Sequence, residues 1–115
     1  MTKNGNNKSG GRAPREKGAR AERALVKFLQ AHGFAAERVP LSGSAGGSFC
    51  GDLTIPILGV DRLCEVKVRA AGFAQLYSWL TNRDFLIVRA DRSEPLVVIP
   101  LPLAIEIATA AERAK

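Results

Sequence analysis

The chain has 115 residues, 46% of them hydrophobic, and a formal net charge of +6. This length and composition predict one domain with a hydrophobic core, and no apolar run is long enough to cross a membrane. The N-terminus has no apolar signal segment, and Cys50 and Cys64 lack the spacing of a zinc site, so we expect an intracellular, cytoplasmic protein with reduced thiols.

The positive charge is concentrated near the N-terminus. Eight basic and two acidic residues lie in the first 27 positions, which gives +6, and nine of each kind follow. Residues 1–14 are rich in glycine, asparagine, serine and lysine, so we expect a disordered basic arm there and a folded domain over residues 15–115. The arm favours a polyanionic partner, most often nucleic acid, although a solubilising tail fits the charge equally well.

An amphipathic helix is predicted over residues 15–32, and Gly33 is expected to end it. Glu22 falls on the same face as the apolar stripe, which consists of Leu25, Val26 and Leu29. Glu22 is therefore expected to turn outward at the edge of this face or to pair with a neighbouring arginine. If the helix packs over the hairpin predicted at residues 51–67, Glu22 becomes a third acidic group of a site. His32, beside Gly33, is predicted to interact with the last helix carbonyls rather than to act as a catalytic base.

Residues 34–41 are predicted to be extended up to Pro40, and Arg38 is the notable charge among them. A loop of small residues follows at positions 42–48. Since it lacks the sequence of a P-loop or of a dinucleotide fingerprint, we do not expect it to bind a nucleotide. A loop that closes over a backbone phosphate and a plain connector are equally compatible with it.

A β-hairpin is predicted over residues 51–67, where two short apolar runs flank a turn. Its antiparallel pairing would bring Asp52, at the start of the first strand, close to Glu65, near the end of the second. Side chains alternate along a strand, so Glu65 and Lys67 share one face, and three side chains are expected to face a core on the other: Cys64, Val66 and Val68.

The rest of the chain is predicted to form a short helix over residues 73–82, two strands and a C-terminal helix that starts near Pro102. The strands, at residues 84–90 and 95–99, are almost continuously apolar, which is typical of interior strands covered on both faces. This order of elements predicts an α/β fold, a mixed β-sheet flanked by helices in a single domain.

Asp52 and Glu65 would repel each other at one sheet edge unless a cation lies between them, and a bound divalent metal is the simplest explanation. Hard oxygen ligands without cysteine or histidine favour Mg²⁺, with Mn²⁺ as a substitute. In a basic protein, such a site indicates phosphodiester hydrolysis. Lys67 would add positive charge where the transition state becomes anionic.

These residues resemble known motifs. Gly51-Asp52 followed by Glu65-Val66-Lys67 is similar to the signature of the PD-(D/E)xK nuclease superfamily. The chain resembles the archaeal-type Holliday junction resolvases in particular, over roughly residues 17–68. The segments that carry this second resemblance are Lys17-Gly18, Glu22, Gly33-Phe34, Arg38-Val39-Pro40 and Ser42-Gly43-Ser44.

The resemblance implies a restriction-endonuclease-like fold and a homodimeric, Mg²⁺-dependent endonuclease that cuts branched DNA. Carried over by position, the metal ligands are Glu22, Asp52, Glu65 and the Val66 carbonyl. Lys67 would orient or activate the attacking water, and Ser42 would contact the scissile region. The DNA-binding residues would be Lys17, Arg20, Arg38 and Ser44.

Other functions remain compatible with the sequence. One is a different nuclease of the same superfamily, of the flap, repair or restriction type. A second is a non-catalytic nucleic-acid-binding module, and a third is a protein-interaction domain with a basic tail. For dimerisation, Tyr77 and Trp79 on the short helix are candidate interface residues, although both also fit a position in the core.

Overall fold

The computed structural model describes residues 12–39 and 52–115, with the side chains of the first helix described from Lys17 onward. These residues belong to two compact units, Met1–Val68 and Arg69–Lys115, which are called unit 1 and unit 2 below. Disorder is predicted for residues 1–14; residues 1–11 lie outside the described residues, and residues 12–14 belong to the first helix. The predicted loop at residues 42–48 also lies outside the described residues. None of the described helices is long and apolar enough to span a bilayer.

The first element of unit 1 among the described residues is helix α1, Arg12–Ala31. The helix starts three residues before the predicted position, and Pro14 lies in its first turn, where a missing N–H costs no helical hydrogen bond. Gly33 ends α1 as predicted, since its φ is +92°. The Phe34 N–H donates to the Leu29 carbonyl at 3.0 Å and the Gly33 N–H to the Gln30 carbonyl at 3.0 Å, which is a Schellman motif.

The prediction for His32 is also confirmed. Its Nδ1 lies 2.8 Å from the Phe28 carbonyl oxygen, one turn earlier, and this contact requires the tautomer with a proton on Nδ1. The two rings lie 4.4 Å apart between centroids. His32 therefore contacts a carbonyl in the last turn of the helix.

The other described elements of unit 1 are three antiparallel strands: β1 (Glu37–Arg38), β2 (Leu53–Ile57) and β3 (Val60–Cys64). β2 lies between the other two, with Arg38 opposite Leu53 in one pair and Leu53 opposite Cys64 in the other. Leu58 and Gly59 form the hairpin turn with φ values of +54° and +79°, which is the backbone of a type I′ turn.

The core of unit 1 joins the C-terminal half of α1 to β1 and β2. Its buried apolar residues are Leu29, Phe34, Ala36 and Leu53. Leu25 and Val26, the other members of the predicted stripe, are half-buried. Phe34 and Ala36 alternate with exposed residues, as expected of an extended segment that packs on one face. The predicted helix face is therefore the one that packs.

The second hairpin strand is shorter than predicted. β3 ends at Cys64, and the Val66 N–H donates to the Asp52 side chain rather than to a strand backbone. Because β2 starts only at Leu53, the acceptor for the Val66 N–H is the Asp52 carboxylate instead of a backbone carbonyl of β2. Cys64 and Val66 are half-buried and Glu65 and Lys67 exposed, as predicted, but Val68 is also exposed, so its expected core position is wrong.

Unit 2 contains helix α2 (Ala74–Leu80), strands β4 (Leu86–Val88) and β5 (Leu96–Val98), and helix α3 (Leu101–Ala114). Pro102 lies in the first turn of α3, as predicted. β4 and β5 pair only with each other, in an antiparallel two-stranded sheet. The expectation of interior strands covered on both faces is therefore wrong, because Ile87, Leu96 and Val97 are exposed.

Candidate active site

Asp52 is fixed by backbone bonds on both sides and by its own carboxylate. Its N–H donates to the Cys64 carbonyl at 2.8 Å, and its carbonyl accepts from the Val39 N–H at 2.9 Å. Its Oδ2 accepts from the Val66 N–H at 2.8 Å. Because Cys64 and Val66 flank Glu65, these contacts place the two predicted carboxylate residues side by side at the open end of the hairpin.

Glu65 and Lys67 form an ion pair on the exposed side of the segment that follows β3. The Lys67 Nζ lies 3.1 Å from Glu65 Oε2, and both side chains are about half exposed. The sequence prediction that these two side chains share a face is confirmed. The pair places a cation next to the Glu65 carboxylate within the chain itself.

Cys64 lies on the other side of the same segment. Burial of the thiol raises its pKa, and the negative charges of Asp52 and then of Glu65 raise it further. The thiol is therefore protonated near neutral pH and bonds weakly to the Glu65 carbonyl at 3.8 Å. That both carboxylates act on one thiol supports their closeness, and a protonated thiol is a poor metal ligand.

Glu22 faces inward from α1, as predicted, and pairs with Arg38 of β1. Oε1 of Glu22 accepts from both Nε and Nη2 of Arg38, each at 3.0 Å. The Glu22 side chain is 17% exposed and the Arg38 side chain 35%. Of the possibilities for Glu22, the pairing with a neighbouring arginine is the one present in this structure.

The structure brings Asp52, Glu65 and Lys67 together but does not gather Glu22 with the other carboxylates. In residues 12–39 and 52–115, no group of three or more histidine, cysteine or acidic side chains is close enough to hold a metal ion. The roles predicted for Ser42 and Ser44 fall outside the described residues. The assignment of Glu22 as a metal ligand stays a prediction.

The oxygen atoms at the hairpin end fit a hard divalent cation. Asp52 Oδ1 and Glu65 Oε1 are not used by the hydrogen bonds and ion pair just described, and the Val66 carbonyl follows directly after Glu65. Carboxylate and carbonyl oxygens, without a thiolate or imidazole, are the ligand types that Mg²⁺ and Mn²⁺ prefer. Two carboxylates with a carbonyl suffice for an ion that keeps several waters.

Basic side chains occupy the exposed face of α1. Lys17 and Arg20, both predicted DNA-binding residues, are exposed, and so are Arg23 and Lys27. The spacing of three or four residues places neighbouring members on one helix face. Arg23 and Lys27 were not singled out as candidates from the sequence, although their periodic spacing with Arg20 was the available signal.

Comparison with protein families identifies the chain. The model of the family described as archaeal Holliday junction resolvase (Hjc) matches residues 13–77, more than half of the 115 residues. The chain belongs to this family. Neither the curated proteins nor the solved structures compared with the chain gave a match.

Membership in the Hjc family identifies the chain as a resolvase-like nuclease and implies that it binds DNA. The match includes α1 from its second residue onward, the three described strands of unit 1 and the Asp52–Lys67 region, and it continues into α2. Together with the observed helices and antiparallel strands, it confirms the predicted α/β nuclease fold class. The segments that carried the resemblance in the sequence lie within the matched range.

Proposed function

We propose that this Hjc family member is a Mg²⁺-dependent endonuclease that hydrolyses phosphodiester bonds at four-way DNA junctions. One observation carries the proposal: Asp52 is hydrogen-bonded to the residues on both sides of Glu65, and Glu65 in turn pairs with Lys67. Two carboxylates and an ammonium group in one short segment form a suitable site for phosphodiester hydrolysis. The family match supports this assignment.

Each residue of the hairpin end has a distinct role in this proposal. Asp52, Glu65 and the Val66 carbonyl would hold the ion, and the backbone bonds of Asp52 keep its carboxylate in place. When bound, Mg²⁺ supplies a water of lowered pKa and positive charge for the phosphate oxygens. Lys67 orients the attacking water and stabilises negative charge on the phosphate.

DNA binding is proposed to use the basic face of α1 and the neighbouring strand. Lys17 and Arg20 are exposed on α1, where long cationic side chains can contact phosphates, and Arg38 lies on β1. Ser42 and Ser44 are proposed to contact the DNA near the scissile bond. Phosphate contacts of this kind position the duplex without reading its sequence, which suits an enzyme that selects the shape of its substrate.

A cleavage assay on a four-way junction, a flap and a linear duplex tests the proposal. Asp52→Asn retains an acceptor for the Val66 N–H but removes the charge, and we expect junction cleavage in Mg²⁺ to fall by about 100-fold or more. Even an outer-shell partner of a metal ligand is worth about 10–100-fold. Asp61→Asn, at the turn end of the same hairpin, is the matched control and should cut like the wild type.

The outcomes separate the alternative functions. Cleavage of linear duplex as fast as of the junction would identify another nuclease of the superfamily instead. Absence of cleavage and of metal binding, with DNA affinity that only falls as salt rises, would identify a nucleic-acid-binding module. Equal cleavage by Asp52→Asn and the wild type would overturn the assigned site, and absence of DNA binding would leave a protein-interaction domain.

We further propose that the active form is a homodimer, because symmetric cleavage of two strands requires two sites. Tyr77 and Trp79 on α2 are 73% and 54% exposed, and exposed aromatic residues are enriched at interfaces. Trp79→Ser should weaken association by about tenfold or more in sedimentation experiments. Val60→Ser, at an exposed apolar residue of unit 1, is the control, and a wild-type monomer at micromolar concentration would contradict the proposal.

A further inference from the structure

We draw no further inference here: the strongest candidate, the exposed apolar patch that the paired residues Ile87 and Val97 form on the two-stranded sheet of unit 2, carries nothing, because nothing in the part of the chain that the structure describes shows what covers it.

Discussion

Units 1 and 2 are built from the same kinds of element but use their apolar residues differently. Unit 1 buries Leu29, Phe34, Ala36 and Leu53, and its polar side chains at the hairpin end are tied to the backbone or to each other. Among the described residues of unit 2, only Ile105 is buried, and large apolar side chains are exposed on α2, β4, β5 and α3. Unit 1 is suited to hold reacting groups in place, and unit 2 to bind another surface.

The largest expected difference between the units comes from the same substitution made in each. Leu53 is fully buried and Leu96 is 64% exposed. We expect Leu53→Ala to lower the free energy of unfolding by about 2–5 kcal/mol, because it removes packed atoms and leaves a cavity. Leu96→Ala should cost about 0.5 kcal/mol or less, as is usual for exposed positions. Urea unfolding of both variants measures the difference.

A large loss of stability in Leu96→Ala would contradict the difference in burial between the two units. It would mean that the exposed sheet of unit 2 is covered in solution. Repeating the measurement at several protein concentrations shows what packs on the sheet. A loss of unfolding free energy that grows with protein concentration indicates a second copy of the chain. A cost independent of concentration would indicate burial within one chain.

A smaller difference is expected at the residues that end α1 and α2. Gly33 follows α1 with a φ of +92°, and Asn82 follows α2 with a φ of +60°. Gly33→Ala should cost about 1–2 kcal/mol, because a Cβ is unfavourable in the left-handed region. Asn82→Ala should cost only about 0.5 kcal/mol, because asparagine already has a Cβ but tolerates this region.

Thermal unfolding of the two alanine variants and of Asn82→Gly measures this difference. Asn82→Gly should gain stability by roughly the amount that Asn82→Ala loses, because glycine has no Cβ penalty in this region. An equal cost of the two alanine variants would show that the two helix ends constrain the chain to the same degree.

Features determined by residues near each other in the sequence were predictable. The glycine that ends α1, the contact of His32 with a helix carbonyl and the start of α3 near Pro102 each follow from the preferences of one or two residues. The inward face of Glu22 followed from helical periodicity. The closeness of Asp52 and Glu65 followed from the pairing of a hairpin with a two-residue turn.

Features that depend on distant residues were not predictable. Arg38, the partner of Glu22, lies sixteen residues further along the chain, and it can be identified only when one knows that β1 packs beside α1. Beyond the end of β3, the Val66 N–H bonds to the Asp52 side chain instead of a backbone carbonyl. Hydrophobic periodicity in the sequence gives no sign of such a bond. The apolar runs of β4 and β5 predicted strands covered on both faces, but apolar composition alone does not show whether another element packs on them, and in this structure they are exposed.

The turn of the unit 1 hairpin offers a stabilising substitution with a counterpart in unit 2. Leu58 and Arg92 are non-glycine residues with φ values of +54° and +62°. Leu58→Asn should raise the free energy of unfolding by about 0.5–1 kcal/mol, because Asn-Gly is the preferred pair for a type I′ turn. Arg92→Asn should gain less, about 0.5 kcal/mol, since the turn after β4 has no such glycine partner.

Thermal unfolding measures both changes. A loss of stability in Leu58→Asn would mean that the apolar contacts of the half-exposed leucine outweigh the strain of its backbone. Leu58→Ala separates these contributions, because it removes the apolar side chain but keeps a Cβ, and with it the strain, at a positive φ. The hairpin carries the candidate site at its other end, so a stabilised turn should leave cleavage unchanged.

The smallest expected effect is on the thiol of Cys64, and it tests how tightly unit 1 holds its carboxylates. Burial, Asp52 and Glu65 raise the pKa of Cys64 above its ordinary value of 9.0. In a Cys50→Ser background, Asp52→Asn should lower the pKa of Cys64 and speed its alkylation by iodoacetamide at alkaline pH. Asp61→Asn, at the turn end of the hairpin, should leave alkylation unchanged.

The raised pKa of Cys64 also makes the stability of the folded state depend on pH. The unfolded chain releases the thiol proton first, so stability is full below about pH 9 and falls as the pH rises toward the higher pKa of the folded state. Asp52→Asn should make this fall smaller, which urea unfolding across the alkaline range measures. An unchanged pKa of Cys64 in Asp52→Asn would mean that the carboxylate lies farther from the thiol in solution. The side-by-side placement of Asp52 and Glu65, on which the proposed metal site depends, would then be lost.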